Sequence, residues 1–229
     1  MGITIHYDFK HKGDSKSAFV KLETVRKNIL KLQKNHKYIV QVVSPIFMLK
    51  YDKENYVSPN VLKMPRQIQR TYNWAKIQYC PRERFIDNKY IETPQEEIKK
   101  HRGFVFLIYT DSGSEPTNIG LISKDNKHWF GSAFTKTQYA TDFLRCHITI
   151  IRILDICKAV GILSKVLDEA QYWESRNLRL LAKNINESTA FISSVIGKIE
   201  ETKEFDGEKI DTIEAPINKC KNFMRIGRF

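Results

Sequence analysis

Alternation of apolar and polar residues predicts a strand at the start of the chain. Along residues 3–9 the odd positions are apolar, while Thr4, His6 and Asp8 point to the other side. A helix of about 20 residues follows, capped by Asp14 or Ser15, in which apolar residues recur every three or four positions. The chain therefore opens with a half-buried strand and an amphipathic helix.

Continuous apolar runs predict further strands. Residues 38–49 indicate a buried strand in which Pro45 marks a bulge, an edge position or the strand's end. Residues 104–109 predict a central strand, and turn-forming residues separate it from strands at 117–123 and 129–135. The short turns favour an antiparallel meander.

The second half of the chain returns to helical periodicity. A helix is predicted over 141–160 with Gly161 at its C′ position, then a short strand at 163–168 and a helical pattern from Ser175. Strands and helices mix without regular βαβ repetition. The fold class is α+β, with a mixed, largely antiparallel sheet, an opening β-α-β unit, a three-strand meander and packed helices.

The domain organisation follows from where periodicity is lost. Residues 1–202 form a single α+β domain, and residues 51–102 within it are an irregular basic elaboration that holds four of the seven prolines. A short helix over 68–77 is the periodic part of that elaboration. Residues 203–229 form a polar, basic C-terminal tail.

Charge narrows the class of partner. Lys and Arg number 38 against 26 Asp and Glu, a net charge of +12 that favours RNA, DNA or an acidic protein. The alternative is that the lysines reflect a compositional habit of the source. We expect no membrane association, because no apolar stretch reaches the length of a spanning helix, and a cytoplasmic location.

Motifs for common cofactors are missing from the sequence. The four cysteines form no CxxC pair, so no metal site is predicted, and no P-loop, dinucleotide fingerprint or GxSxG is present. The cofactor, if any, stays unknown. Asp111, Asp125 and Lys127 have the residue types of an acid…acid-x-Lys nuclease core, but Asp125 belongs to a predicted turn, which disfavours that interpretation.

Several segments together resemble an uncharacterised family of prokaryotic proteins. They are the opening MGITIHY, the FTKTQYA segment at 134–140 ahead of His147, and DEAQYWE at 168–174. The resemblance covers the first strand and roughly residues 103–180. It implies a common fold and a common polar site, and it names no chemistry.

Acid, base and amide side chains lie at the ends of the predicted strands and on one helix. If they converge, they form the candidate catalytic site of a small hydrolase. These residues are Glu115, Lys136, Gln138, His147, Asp168, Glu169 and Glu174. The structural alternative is a buried His147 with one hydrogen-bonded partner, Glu169 or Glu174.

Cations and aromatic rings interleave in the 51–102 elaboration. Rings stack on bases and cations meet phosphates, so this pattern favours single-stranded nucleic acid. The candidate binding residues are Arg66, Arg70, Tyr72, Trp74, Lys76, Arg82 and Arg84. The structural alternative is that the rings anchor this region to the core while the cations stay in water.

Three functions remain open from the sequence. The first is a nucleic-acid-associated protein that binds through the basic-aromatic surface. The second is a hydrolase that uses the polar set, which leaves open whether the protein is an enzyme. The third is an interaction or host-conflict factor that meets an acidic protein.

Overall fold

The computed structural model describes residues 3–35, 42–51, 59–63, 66–80, 83–86, 89–111, 114–138 and 140–185. Its strands are β1 (Thr4–Lys12), β2 (Val42–Val43), β3 (Phe47–Lys50), β4 (Glu83–Ile86), β5 (Lys89–Glu92), β6 (Arg102–Tyr109), β7 (Thr117–Ser123), β8 (His128–Lys136) and β9 (Leu163–Asp168). Its helices are α1 (Ser15–Asn35), α2 (Pro59–Leu62), α3 (Arg66–Gln78), α4 (Gln95–Ile98), α5 (Phe143–Val160) and α6 (Tyr172–Ser175). Residues 178–185 add a further helical segment.

A seven-stranded sheet organises the chain. Its order is β2-β6-β7-β8-β1-β9, with β3 pairing β6 beside β2, and β4 and β5 form a separate two-stranded sheet. Each pairing is antiparallel. This arrangement confirms the α+β class and the meander of β6, β7 and β8.

The predicted strand at 38–49 is interrupted at the sheet's edge. The Ser44 backbone N–H donates to Leu107 O at 2.9 Å, and the Leu107 N–H donates to Ser44 Oγ at 2.9 Å. Pro45, which has no N–H to donate, lies in the break between β2 and β3. The part of the prediction before residue 42 lies outside the described residues.

Both long helices begin and end where the sequence indicates. Asp14 Oδ1 accepts from the Ser17 N–H at 2.7 Å and caps α1, and Asp142 caps α5 by accepting from the Arg145 N–H. Gly161 ends α5 with φ +81°, the left-handed conformation that favours glycine. The predicted C′ glycine is confirmed, as is Asp14, one of the two residues predicted as the cap of α1, whereas the cap at Asp142 was not predicted.

One face of the sheet, the inner face, lies beneath α1 and α5. Ile5, Tyr7 and Phe9 of β1 point into this core and are at most 1% exposed. Phe19 of α1 packs edge-on against Phe104 of β6, with ring centroids 5.4 Å apart. Burial of these large apolar side chains is the main stabilising contribution of this layer.

Helix α3 packs on the opposite face of the sheet, but over part of it only. The Tyr72 ring contacts Phe47 with centroids 5.6 Å apart, and the Tyr79 hydroxyl donates to Asn118 O at 3.1 Å. Gly131 is required here, because a Cβ at this position would overlap the Gly120 carbonyl oxygen and come within 2.9 Å of the Tyr79 ring. The predicted helix at 68–77 is confirmed as α3, and it covers β3, β6 and β7.

Candidate functional site

The seven polar residues of the predicted catalytic set do not meet at one place. Lys136 lies opposite Thr4 on the face of the sheet away from α5. His147 lies on α5 and contacts Thr137 and Asp168 on the inner face. Because Lys136 and His147 occupy opposite faces, the expectation of one convergent site does not match the geometry.

His147 and Asp168 form a buried pair. Nε2 of His147 lies 3.1 Å from Asp168 Oδ2, and both side chains are 0% exposed. Nδ1 lies 3.2 Å from Thr137 Oγ1, so both ring nitrogens have partners. The partner is therefore Asp168, and the sequence-based assignment to Glu169 or Glu174 is wrong.

The Asp168 carboxylate also organises the turn that follows β9. Its oxygens accept from the backbone N–H groups of Ala170, Tyr172 and Trp173 at 2.8–2.9 Å. Burial raises the pKa of Asp168, but the hydrogen bond and charge of His147 and these backbone donors outweigh it, so the pKa lies below its usual value. An ionised carboxylate only accepts, so Nε2 of His147 donates to it.

The other members of the predicted catalytic set are dispersed. Glu115 Oε2 accepts from the Lys136 N–H at 3.1 Å and so holds the end of β8. Gln138 Oε1 is buried and finds no hydrogen-bond partner within the described part of the chain. Glu174 is exposed on α6.

Asp125 accepts from the N–H groups of Lys127 and His128, which confirms the turn predicted there.

The predicted basic-aromatic set splits between core and surface. Tyr72 is 0% exposed and its hydroxyl donates to Met48 O, so its ring is not available to a base. Arg66 and Arg70 are exposed on α3, and Lys76 is half-buried there. Arg82 lies outside the described residues, and Arg84 belongs to β4, where only the backbone is described.

Trp74, the remaining member of that set, connects α3 to an uncovered part of the sheet. Its ring meets Phe134 of β8 edge-on, with centroids 5.7 Å apart. Beyond this contact, strands β8, β1 and β9 have one face on which none of the described helices packs, which we call the open face. Its residues are His6, Asp8, Lys10, Phe130, Ser132, Phe134, Lys136, Lys165 and Leu167.

Aromatic and apolar side chains stand in the middle of the open face. Phe134, His6 and Leu167 lie side by side on the three strands, and the rings of His6 and Phe134 are 5.8 Å apart. Phe130 is 43% exposed and Leu167 is 56% exposed. Adjacent exposed apolar side chains indicate a binding surface, whereas a single exposed apolar side chain does not.

Lysines border these rings. Lys10 and Lys165 are exposed, and Lys136 Nζ lies 5.9 Å from the centroid of the Phe134 ring. Asp8 lies between Lys165 and Ser132 in the register of the strands. The charge of the open face is positive, in keeping with the whole chain.

A second histidine–carboxylate pair lies at one end of the open face. His6 Nε2 is 3.8 Å from Glu169 Oε1, and the two side chains are 47% and 44% exposed. Glu169 Oε2 accepts from the Thr4 N–H at 2.8 Å, which fixes the carboxylate. Glu169 belongs to the predicted set, whereas His6 was missed.

The missed residues carry a sequence signal. His6, Asp8 and Lys10 occupy the polar positions of an alternating strand, which are usually solvent-facing. Phe130 and Phe134 lie at alternate positions of β8 with Ser132 and Lys136. Their rings are therefore on the polar face of that strand. Rings at polar-face positions are the observation that would have found this surface.

Cys146 and Cys157 do not offer a nucleophile, because both are buried. Burial raises the pKa of Cys146 to about 11 and that of Cys157 above its ordinary range.

Across the described ranges, no three or more His, Cys, Asp or Glu side chains are grouped as metal ligands would be. Of the helices in those ranges, none has the length and apolar character needed to span a bilayer.

Comparison with known proteins finds no family model that matches this chain, no curated protein of similar sequence and no solved structure that matches its fold.

Proposed function

We propose that this protein binds single-stranded nucleic acid on the open face of its sheet. The observation that carries the proposal is a row of rings on β8 and β1 bordered by lysines, in which Phe130 and His6 are exposed and Phe134 is half-buried. Phe134 and His6 lie side by side at its centre, and Lys136 extends over the Phe134 ring. Bases stack on such rings while ammonium groups meet the phosphates.

Single strands fit this surface better than duplexes. A sheet face presents its rings in one layer, so a base must be unpaired and splayed out to stack on them. In a duplex the bases are already stacked on one another, and only phosphates would reach Lys10 and Lys165. The net charge of +12 adds a long-range attraction for any polyanion.

Free thiols favour the cytoplasm as the place of this binding. Cys80, Cys146 and Cys157 are unpaired, as is usual for proteins kept in a reducing compartment. The proposal includes a prokaryotic cytoplasm as the location, which these thiols and the sequence resemblance support. RNA is abundant there, so it is the first polymer to test.

The first experiment measures fluorescence anisotropy with labelled oligonucleotides of about 12 nucleotides, as single-stranded RNA, single-stranded DNA and duplex DNA. We expect both single strands to bind more tightly than the duplex. If three lysines meet phosphates, the affinity for a single strand falls about twentyfold between about 50 mM and 200 mM salt. Saturable binding to an acidic protein but to no nucleic acid would contradict the proposal.

Matched pairs of variants test whether binding depends on the open face or on the positive charge of the whole protein. Phe134→Ala is expected to weaken single-strand binding about five- to hundredfold, because stacking contributes about 1–3 kcal/mol per base. Phe19→Ala removes an exposed ring from α1 and is expected to leave binding unchanged. Lys165→Glu should weaken binding more than Lys31→Glu, which reverses an exposed charge on α1. Equal effects within each pair would rule out the open face as the binding surface.

A further inference from the structure

We propose that the open face also cleaves the RNA it binds, by transesterification at a phosphate held among His6, Glu169 and Lys136. The inference rests on the proposed function, because the RNA must first lie on the rings of this face. It adds a reaction and restricts the substrate to polymers with a 2′-hydroxyl.

The His6–Glu169 pair has the features of a proton-accepting group. Glu169 Oε2 is held by the Thr4 N–H at 2.8 Å, and the Glu169 N–H donates to Thr4 O at 3.2 Å. The other oxygen, Oε1, faces His6 Nε2 at 3.8 Å, and both side chains are about half exposed. Histidine is the side chain that most often acts as a general base, and a fixed carboxylate beside the ring orients it.

Lys136 lies across β1 from Glu169. Thr4 pairs with Lys136 on one side and is hydrogen-bonded to Glu169 on the other. The two residues are therefore about two strand spacings, roughly 10 Å, apart at the backbone. A phosphate above β1 and beside the His6 ring would have Glu169 on the β9 side and the Lys136 ammonium group on the β8 side.

Those two positions match the proton transfers that RNA cleavage requires. The 2′-oxygen attacks the adjacent phosphorus, and the bond from phosphorus to the 5′-oxygen of the next nucleotide breaks. The His6–Glu169 pair accepts the proton of the 2′-hydroxyl, while Lys136 stabilises the phosphoryl oxygens and donates a proton to the leaving 5′-oxygen. The products are a 2′,3′-cyclic phosphate and a 5′-hydroxyl, and proton exchange with water restores both groups.

The buried pair on the other face of the sheet cannot take this role. His147 and Asp168 are 0% exposed, and both nitrogens of the His147 ring already have partners. The His6–Glu169 pair instead combines a fixed carboxylate, an exposed imidazole and the neighbouring rings of the open face.

The test uses the full chain and a labelled DNA oligonucleotide that contains one ribonucleotide. We expect a single cut on the 3′ side of that ribonucleotide in the presence of EDTA, with a 2′,3′-cyclic phosphate identified by mass spectrometry. A 2′-O-methyl version and an all-DNA version should stay intact. His6→Ala, Glu169→Gln and Lys136→Ala should each lower the cleavage rate about 10²- to 10⁴-fold.

Two control variants remove the same residue types elsewhere. His128→Ala removes an exposed histidine that pairs with Asp125, and Glu96→Gln neutralises an exposed carboxylate on α4 that pairs with Lys99. Both should cleave at the wild-type rate. Cleavage that persists unchanged in His6→Ala, or that also cuts the 2′-O-methyl oligonucleotide, would overturn the inference.

The measurements distinguish a failure of the proposed binding from a failure of the proposed cleavage. If the wild type binds the intact 2′-O-methyl strand but does not cut the ribonucleotide, cleavage is overturned and the proposed binding function stands. If the wild type neither binds nor cuts any single strand, both proposals are overturned.

Discussion

Two of the three histidine–carboxylate pairs in the described residues lie on opposite faces of the same sheet, and their acids are consecutive residues. Asp168 ends β9 and points to the inner face, where His147 Nε2 is 3.1 Å from its carboxylate and neither side chain is exposed. Glu169 follows and lies beside His6 at 3.8 Å, with both side chains about half exposed. Identical chemical groups thus occur in two environments.

The two pairs differ in how many hydrogen bonds their carboxylate oxygens already accept. This number distinguishes a pair that stabilises the fold from one that can bind a ligand. The oxygens of Asp168 accept from His147 and from three backbone N–H groups, so the carboxylate has little capacity left for a ligand. Glu169 uses one oxygen for Thr4 and leaves the other facing His6 and solvent. The His147–Asp168 pair, which we call the inner pair, stabilises the fold. The His6–Glu169 pair, the outer pair, is the one that a substrate can reach.

The largest effect expected from this comparison is on folding. Asp168→Ala should lower the free energy of unfolding by about 3–5 kcal/mol, because it leaves His147 and three backbone donors buried without a partner. Glu169→Ala should lower it by about 1 kcal/mol at most, since exposed ion pairs contribute little. Urea denaturation followed by circular dichroism measures both. Equal losses in the two variants would mean that burial does not distinguish the pairs.

The inner pair also predicts a pH dependence. The folded-state pKa of Asp168 lies below its usual value, so its ionised form stabilises the native state above about pH 5, and this contribution disappears as the pH falls through the folded pKa. The wild type should therefore lose more stability than Asp168→Asn between about pH 7 and pH 3. Urea midpoints at several pH values test this, and parallel curves for the two proteins would contradict it.

Local signals predicted much of this fold. The alternation of β1, the cap at Asp14 and the left-handed Gly161 each depend on a few neighbouring residues, and each is present in the structure. The packing of α3 depends on distant residues. Tyr79 reaches the sheet because Gly120 and Gly131 leave room for its ring, and no local pattern relates those positions.

The site was predicted less well because it depends on which face each residue takes. Period-two spacing places Lys136 on one side of its strand, but it does not tell which side α5 will cover. Asp168 and Glu169 were grouped as neighbours in sequence, although consecutive strand residues point in opposite directions. Strand register joins His6 to Phe134 and brings it beside Glu169, and register is set by long-range pairing.

A smaller effect is expected at the hydroxyl that completes the inner pair. Thr137→Val keeps the shape of the side chain but removes the oxygen 3.2 Å from His147 Nδ1. The variant should lose about 1–2 kcal/mol of stability, since one buried ring nitrogen then lacks a partner. Thermal and urea denaturation measure the loss. A loss as large as that of Asp168→Ala would show that Thr137, rather than the carboxylate, holds His147.

The smallest effect belongs to the open face, where His6→Ala should change the free energy of unfolding by about 0.5 kcal/mol or less. The exposed His6 ring contacts Phe134 and Glu169, but neither contact buries a polar group that would lose its only partner. Urea denaturation of His6→Ala beside Thr137→Val tests this directly. If His6→Ala is as unstable as Asp168→Ala, then His6 is a structural residue, and its effects on RNA could no longer be assigned to chemistry at the open face.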